Sequence, residues 1–124
     1  MSTERYEQGL EIRRQVLGDD YVDRAVANVD DFNRPLQEFL NDYCWGALWS
    51  RPGLRRKTRS LIVLAILSLL GKERELKAHV KGAIRNGCTV EEIQEALLHV
   101  AIYGGIPNGV DAFRIAKEAL AEGV

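Results

Sequence analysis

Apolar residues recur at helical spacing along nearly the whole chain, and the alternation typical of strands is scarce. Turn-forming residues interrupt this pattern at five places, at Gly18, Pro52–Gly53, Gly71, Asn86–Gly87 and Gly104–Gly105. Thr89 and Glu92 have the spacing of a capping box, which predicts that a helix begins there. The sequence therefore predicts an all-α, single-domain helical bundle of about six helices over residues 1–124.

Residues 31–50 are predicted to form one helix that carries both tryptophans of the chain. At 100° per residue, Trp45 and Trp49 fall beside Glu38 and nearly opposite a second apolar stripe, made of Leu36, Leu40, Tyr43 and Ala47. A surface helix of a monomer needs only one such stripe. We therefore expect the tryptophan face to meet a second layer of the fold, a partner subunit or a ligand.

The segment 56–70 is apolar almost all round, which predicts a helix at the buried centre of the fold. Its longest apolar run, 61–70, is about half the length that a transmembrane helix needs, and the N-terminus lacks the apolar core of a signal peptide. We expect a soluble, cytoplasmic protein without a membrane contact. The net charge of −1 also argues against nucleic acid as a partner, because such proteins usually carry a basic excess.

The chain has two histidines, and both border the apolar face of a predicted helix. An imidazole titrates near pH 6.5, which suits proton transfer, although a helical histidine such as His79 is more often structural. A structural role is also the simpler interpretation of His99, which has Glu95 and Tyr103 one turn away on either side. Cys44 and Cys88 lack redox or zinc spacing and are interpreted as small buried thiols.

Several arginines follow the tryptophans, and they suggest that an anionic ligand binds nearby. Arg51 precedes the Pro52–Gly53 turn, and Arg59 enters the apolar helix directly, which makes a solvated role for Arg59 less plausible. The sequence contains no phosphate loop, nucleotide fingerprint or metal-ligand cluster. These patterns predict neither a metal nor an organic cofactor.

Taken together, several segments resemble the 4-carboxymuconolactone decarboxylases, which belong to a superfamily with the alkylhydroperoxidases. The resemblance spans about residues 5–122 and rests on residues 6–17, Tyr43–Arg59, His79 with Gly82–Ala83, Glu91–Pro107 and Asp111–Phe113. It implies an all-α fold, a homo-oligomer that is commonly a hexamer, and decarboxylation of a lactone dicarboxylate in protocatechuate catabolism. The peroxidase branch has two cysteines at the positions of Lys72 and Glu75, so a thiol peroxidase is excluded.

The resemblance also implies roles at an active site. His79 would transfer the proton, with His99 as the other candidate, and Arg51 or Arg59 would grip the carboxylate that stays on the substrate. Trp45 and Trp49 would form a dry wall, Tyr103 or His99 would face the lactone oxygen, and Glu38 would set the charge of a histidine. The alternative is a catalytically silent oligomer that binds acids derived from aromatic compounds.

Overall fold

The computed structural model describes residues 3–124, and these residues contain helices and no strand. The all-α prediction is confirmed, with seven α-helices and one π-helix where about six helices were expected. The α-helices are α1 (Thr3–Leu17), α2 (Asp19–Ala27), α3 (Arg34–Phe39), α4 (Arg56–Leu70), α5 (Glu73–Arg85), α6 (Val90–Gly104) and α7 (Ile106–Glu122). The π-helix, Leu40–Leu48, continues directly from α3.

The chain divides into two compact units, which meet in sequence between Leu54 and Arg55. The N-terminal unit contains α1 to α3 and the π-helix, and the C-terminal unit contains α4 to α7. That residues 1–124 behave as one domain stays a prediction.

In the N-terminal unit, α1 packs against the π-helix at two glycines. A Cβ atom added to Gly9 would lie 1.7 Å from the carbonyl oxygen of Asn41, and one added to Gly46 would lie 2.5 Å from the carbonyl oxygen of Arg5. Only residues without a side chain permit this approach of the two backbones. The Nε–H of Arg5 also donates to Oδ1 of Asp42 at 2.7 Å, which fixes the two helices together.

The C-terminal unit has an aliphatic core drawn from all four of its helices, which includes Leu64, Leu76, Val80, Ile93, Leu97 and Ile115. The predicted capping box is confirmed, because the Glu92 N–H donates to Thr89 Oγ1 at 3.0 Å and the Thr89 N–H donates to Glu92 Oε1 at 2.8 Å. These bonds satisfy backbone donors that the first turn of α6 would otherwise leave without a partner.

The prediction that residues 56–70 are buried all round is wrong for the single chain. α4 buries Arg59, Ser60, Leu64 and Ser68, but its other side leaves four large apolar side chains about half exposed: Ile62, Ile66, Leu69 and Leu70. The helix is apolar on two sides, and only one side meets the core of its own chain.

Candidate functional site

Trp45 and Trp49 stack on one another, with ring centroids 4.9 Å apart and planes inclined by 28°. A π-helix has more than four residues per turn, so side chains four positions apart stay on one face. The single chain buries both rings, which are 3% and 4% exposed. The expectation that this face meets another part of the molecule is fulfilled within the chain itself.

The other predicted stripe of this segment is the more exposed one in the single chain. Leu36 and Tyr43 are both more than half exposed, as are Phe39 and, in the turn before α3, Phe32. The rings of Phe39 and Tyr43 meet edge to face at 5.6 Å, and the Arg5 guanidinium lies 4.8 Å from the Tyr43 ring centroid. A regular α-helical wheel does not apply to a segment that changes to π-helical winding at Leu40.

His79 lies in the middle of α5, and burial lowers its pKa to about 4. Its imidazole is therefore neutral at pH 7. A neutral imidazole can accept a proton, but it donates one readily only after it has gained a charge. An anion bound near His79 would raise the pKa and favour the protonated form.

His99 and Tyr103 both lie on exposed positions of α6, and Tyr103 is 87% exposed in the single chain. The Nδ1–H of His99 donates to the carbonyl oxygen of Glu95 at 2.7 Å, because a carbonyl can only accept. Glu95 thus orients the ring through its backbone carbonyl. This bond assigns the acceptor role in the neutral ring to Nε2.

The remaining predicted residues differ in burial. Arg59 is 9% exposed in the first turn of α4, whereas Arg51 is exposed just after the π-helix and Glu38 is half-buried in α3. The burial of Arg59 agrees with the sequence-based argument against a solvated role. The functional roles of Arg51, Arg59 and Glu38 stay predictions, as do those of both histidines, both tryptophans and Tyr103.

Arg13 is a buried cation that the sequence-based prediction of the site left out. Its side chain is 5% exposed, and its Nη1–H groups donate to Oε1 of Gln37 at 2.9 Å and to Oδ1 of Asn41 at 3.1 Å. Within residues 3–124, no carboxylate forms an ion pair with it. The signal in the sequence was an arginine on the inward face of the first helix, together with Tyr6, Leu10 and Leu17.

Both cysteines are thiols outside any disulfide, and burial raises the pKa of each. The Cys88 thiol donates to the carbonyl oxygen of Lys57 at 3.4 Å.

Over the described part of the chain, no group of three or more His, Cys, Asp or Glu side chains is arranged to hold a metal ion. No helix among residues 3–124 is both long and apolar enough to span a membrane.

The chain is similar to known decarboxylases over most of its length. A model of the carboxymuconolactone decarboxylase family matches residues 34–118. A 4-carboxymuconolactone decarboxylase of Acinetobacter baylyi is 44% identical over 119 residues, covering 96% of this chain and 89% of that protein. Nitrosuccinic acid decarboxylase npaB of Metarhizium robertsii is 41% identical over 115 residues, which cover 93% of this chain and 80% of that protein. A 4-carboxymuconolactone decarboxylase of Pseudomonas putida is 42% identical over 43 residues, which cover 35% of this chain and 90% of that protein.

Proposed function

Because the chain belongs to the carboxymuconolactone decarboxylase family, we propose that it decarboxylates 4-carboxymuconolactone to the β-ketoadipate enol-lactone and CO2, in the catabolism of protocatechuate. The observation that carries this proposal is the 44% identity to the Acinetobacter baylyi enzyme over 96% of the chain. The test is to mix the purified chain with the lactone and to follow CO2 release. Binding without turnover would favour the silent binding protein instead.

The chemistry of this substrate explains why no cofactor is needed. The departing carboxylate is vinylogous to the lactone carbonyl, so loss of CO2 leaves a dienolate whose charge rests on the lactone oxygen. Protonation of the ring carbon next to the carbonyl then completes the reaction. Enzyme treated with a strong chelator and dialysed is expected to keep its rate, and a rate that returned only with added zinc or manganese would contradict this.

An arginine favours the reaction most when it binds the carboxylate that stays on the substrate. A cation fixed on the departing carboxylate would stabilise the ground state and slow the reaction. We therefore assign Arg51 or Arg59 to the spectator arm, and substitution of the correct one by Ala should chiefly raise KM. The other Arg→Ala variant serves as the matched control and should behave like the wild type.

His79 is proposed as the group that transfers the proton. Its pKa of about 4 in the chain alone means that the imidazole must gain a proton when the dianionic substrate binds. General acid–base groups contribute about 10²–10⁴-fold, so His79→Ala should lower kcat by that factor while binding survives. A correctly assembled variant with a rate within about threefold of the wild type would move the role to His99.

The other assignments follow from the chemistry of the dienolate. Trp45 and Trp49 are proposed to form a dry wall near the departing carboxylate, and Tyr103 or His99 to donate to the lactone oxygen. Each such donor could contribute about 3–4 kcal/mol. Glu38 is proposed to set the charge of a histidine.

A second candidate substrate is nitrosuccinate, because the relative from Metarhizium robertsii is named for that acid and is 41% identical. Like the lactone, nitrosuccinate carries two carboxylates and a built-in electron sink, since its nitro group accepts the electron pair that CO2 leaves behind. Parallel assays with the two acids distinguish these substrates by their kcat/KM.

We also propose that the protein forms a homo-oligomer, namely the hexamer that the resemblance implies. Support comes from the exposed apolar side chains of the single chain, which include Phe32 at 94%, Tyr103 at 87% and Ile102 at 75% exposure. Monomers rarely expose contiguous apolar patches of more than a few hundred Å². Sedimentation that showed a stable 13.9 kDa species at micromolar concentration would contradict the proposal. The cytoplasmic location also stays a prediction.

A further inference from the structure

Arg13 is held by two neutral groups, and both come from the segment that carries the tryptophans. Gln37 lies in α3 and Asn41 lies in the π-helix, four residues before Trp45. A buried guanidinium is costly unless its charge is paired or well hydrogen-bonded. Here one nitrogen, Nη1, makes both side-chain bonds, and the buried Nε has no hydrogen-bond partner within residues 3–124.

The groups around Arg13 leave its charge uncompensated. The titratable groups that act on it most are Tyr21, Cys44 and Tyr6, which favour its charged form only when they are ionised. None of the three is a carboxylate, and burial raises the pKa of the Cys44 thiol, which keeps that thiol from supplying a negative charge at pH 7. Asp42 is next to Asn41 in sequence, but its carboxylate is bound by Arg5 at 2.7 Å.

A carboxylate could occupy either acceptor position with little change in shape, since Asp and Glu match Asn and Gln in size. The protein instead has two amides there, which hold the guanidinium without cancelling its charge. Asn41, which binds the guanidinium, lies four residues before Trp45 in the π-helix, and both residues are buried.

We propose that Arg13 is a specificity-determining residue whose uncancelled positive charge attracts dicarboxylates to the tryptophan-bearing side of the N-terminal unit. This inference rests on the proposed function, because both candidate substrates are dianions. The charge acts at a distance and does not require contact with the substrate. At roughly 10 Å and an effective dielectric constant of about 20, one unit charge changes the affinity for a single anion by about tenfold.

The test cancels the charge while keeping the geometry. Asn41→Asp and Gln37→Glu each place a carboxylate on the Arg13 guanidinium, and each should raise KM for the lactone by roughly tenfold without lowering kcat. Gln8→Glu is the matched control, because it adds the same charge at an exposed position of α1 and should leave KM unchanged. Arg13→Lys, which keeps the charge and can donate to both amides, should keep KM low, whereas Arg13→Met should raise it.

A structural role of Arg13 predicts a different result, because Asn41→Asp and Gln37→Glu would then give folded enzymes with the KM of the wild type. That result, in a wild type that turns over the lactone, would overturn this inference and leave the proposed function intact. A wild type without turnover would refute the proposed function alone.

Binding of succinate and of its monoamide, succinamate, followed by tryptophan fluorescence, then tests the charge directly. The two charge-cancelling variants should weaken succinate binding more than succinamate binding, and equal effects would also overturn the inference.

Discussion

The two units of this chain bury different kinds of side chain. The C-terminal unit fills its core with aliphatic residues from four regular α-helices. The N-terminal unit buries two stacked tryptophans together with Arg13, Asn41 and Asp42, and part of it winds as a π-helix. Aliphatic cores tolerate many arrangements of similar volume, whereas buried polar groups require particular partners. The N-terminal unit is therefore where single substitutions should matter most.

The largest expected effect is that of Gly9→Ala in the N-terminal unit. The new methyl group would meet backbone atoms of the π-helix, among them the Asn41 carbonyl oxygen at 1.7 Å, and backbone cannot rotate away. We expect α1 and the π-helix to separate, at a cost of more than about 3 kcal/mol. Both tryptophans of the chain lie in this unit, so their fluorescence during urea unfolding reports on it selectively.

Gly53→Ala is the control for this experiment. A Cβ at Gly53 would meet nothing within 4 Å, and the residue is exposed in the same unit. We expect the urea midpoint to stay within the range of ordinary surface substitutions. Equal midpoints for the two variants would show that the close approach of α1 to the π-helix is not needed for stability.

The contrast between the units also explains which predictions from the sequence succeeded. In the C-terminal unit, apolar spacing correctly predicted helices, and the Thr89–Glu92 spacing correctly located the start of α6. Helical periodicity reports regular α-helices with one apolar face, and these elements have that form. It failed for α4, because a helix that is apolar on two sides does not reveal which side its own chain covers.

In the N-terminal unit, the same reasoning found two apolar stripes on the tryptophan segment but did not predict that the chain itself would leave Leu36 and Tyr43 of the other stripe exposed. The π-helical winding begins at Leu40, and the backbone of this segment approaches Gly9, which lies more than thirty residues earlier in the chain. The sequence of this one segment therefore cannot predict its contact with Gly9. The candidate residues themselves could be named from residue type and resemblance, but which of them are buried depended on this tertiary packing.

The second largest expected effect concerns His79 in the C-terminal unit and the pH dependence of stability. Burial lowers its pKa from 6.5 to about 4, so between these values the unfolded chain binds a proton that the folded chain does not. Stability is therefore fully present above pH 6.5 and falls as the pH drops towards 4, by up to about 3 kcal/mol. Urea unfolding followed by circular dichroism at several pH values measures this slope.

His79→Gln should flatten that slope, because glutamine does not titrate. His99→Gln is the matched control, since His99 is exposed, and it should retain the slope of the wild type. If both variants lost stability on acidification as steeply as the wild type, groups other than His79 would be responsible for the acid sensitivity.

A smaller effect is expected at the N-terminus of α6. Thr89→Ala removes the hydroxyl that accepts from the Glu92 N–H at 3.0 Å, and loss of such a cap typically costs about 1 kcal/mol. Thr89→Ser keeps the hydroxyl and should restore most of the loss. Circular dichroism is the suitable measurement, because the C-terminal unit contains no tryptophan. Equal destabilisation by Ala and Ser would assign the effect to the lost methyl group and not to the cap.

The smallest effect is expected for Gly104→Ala, which repeats the Gly9 experiment in the C-terminal unit. The distances look alike, because a Cβ at Gly104 would lie 2.0 Å from an atom of Leu69. That atom, however, is Cδ2 at the far end of a side chain that is 48% exposed, and it can rotate into solvent. Alanine also has the higher helix propensity, by about 1 kcal/mol. We therefore expect a net change within about 1 kcal/mol of zero. A loss as large as that of Gly9→Ala, in unfolding followed by circular dichroism, would mean that Leu69 is held in place, for example by the neighbouring subunit of an oligomer.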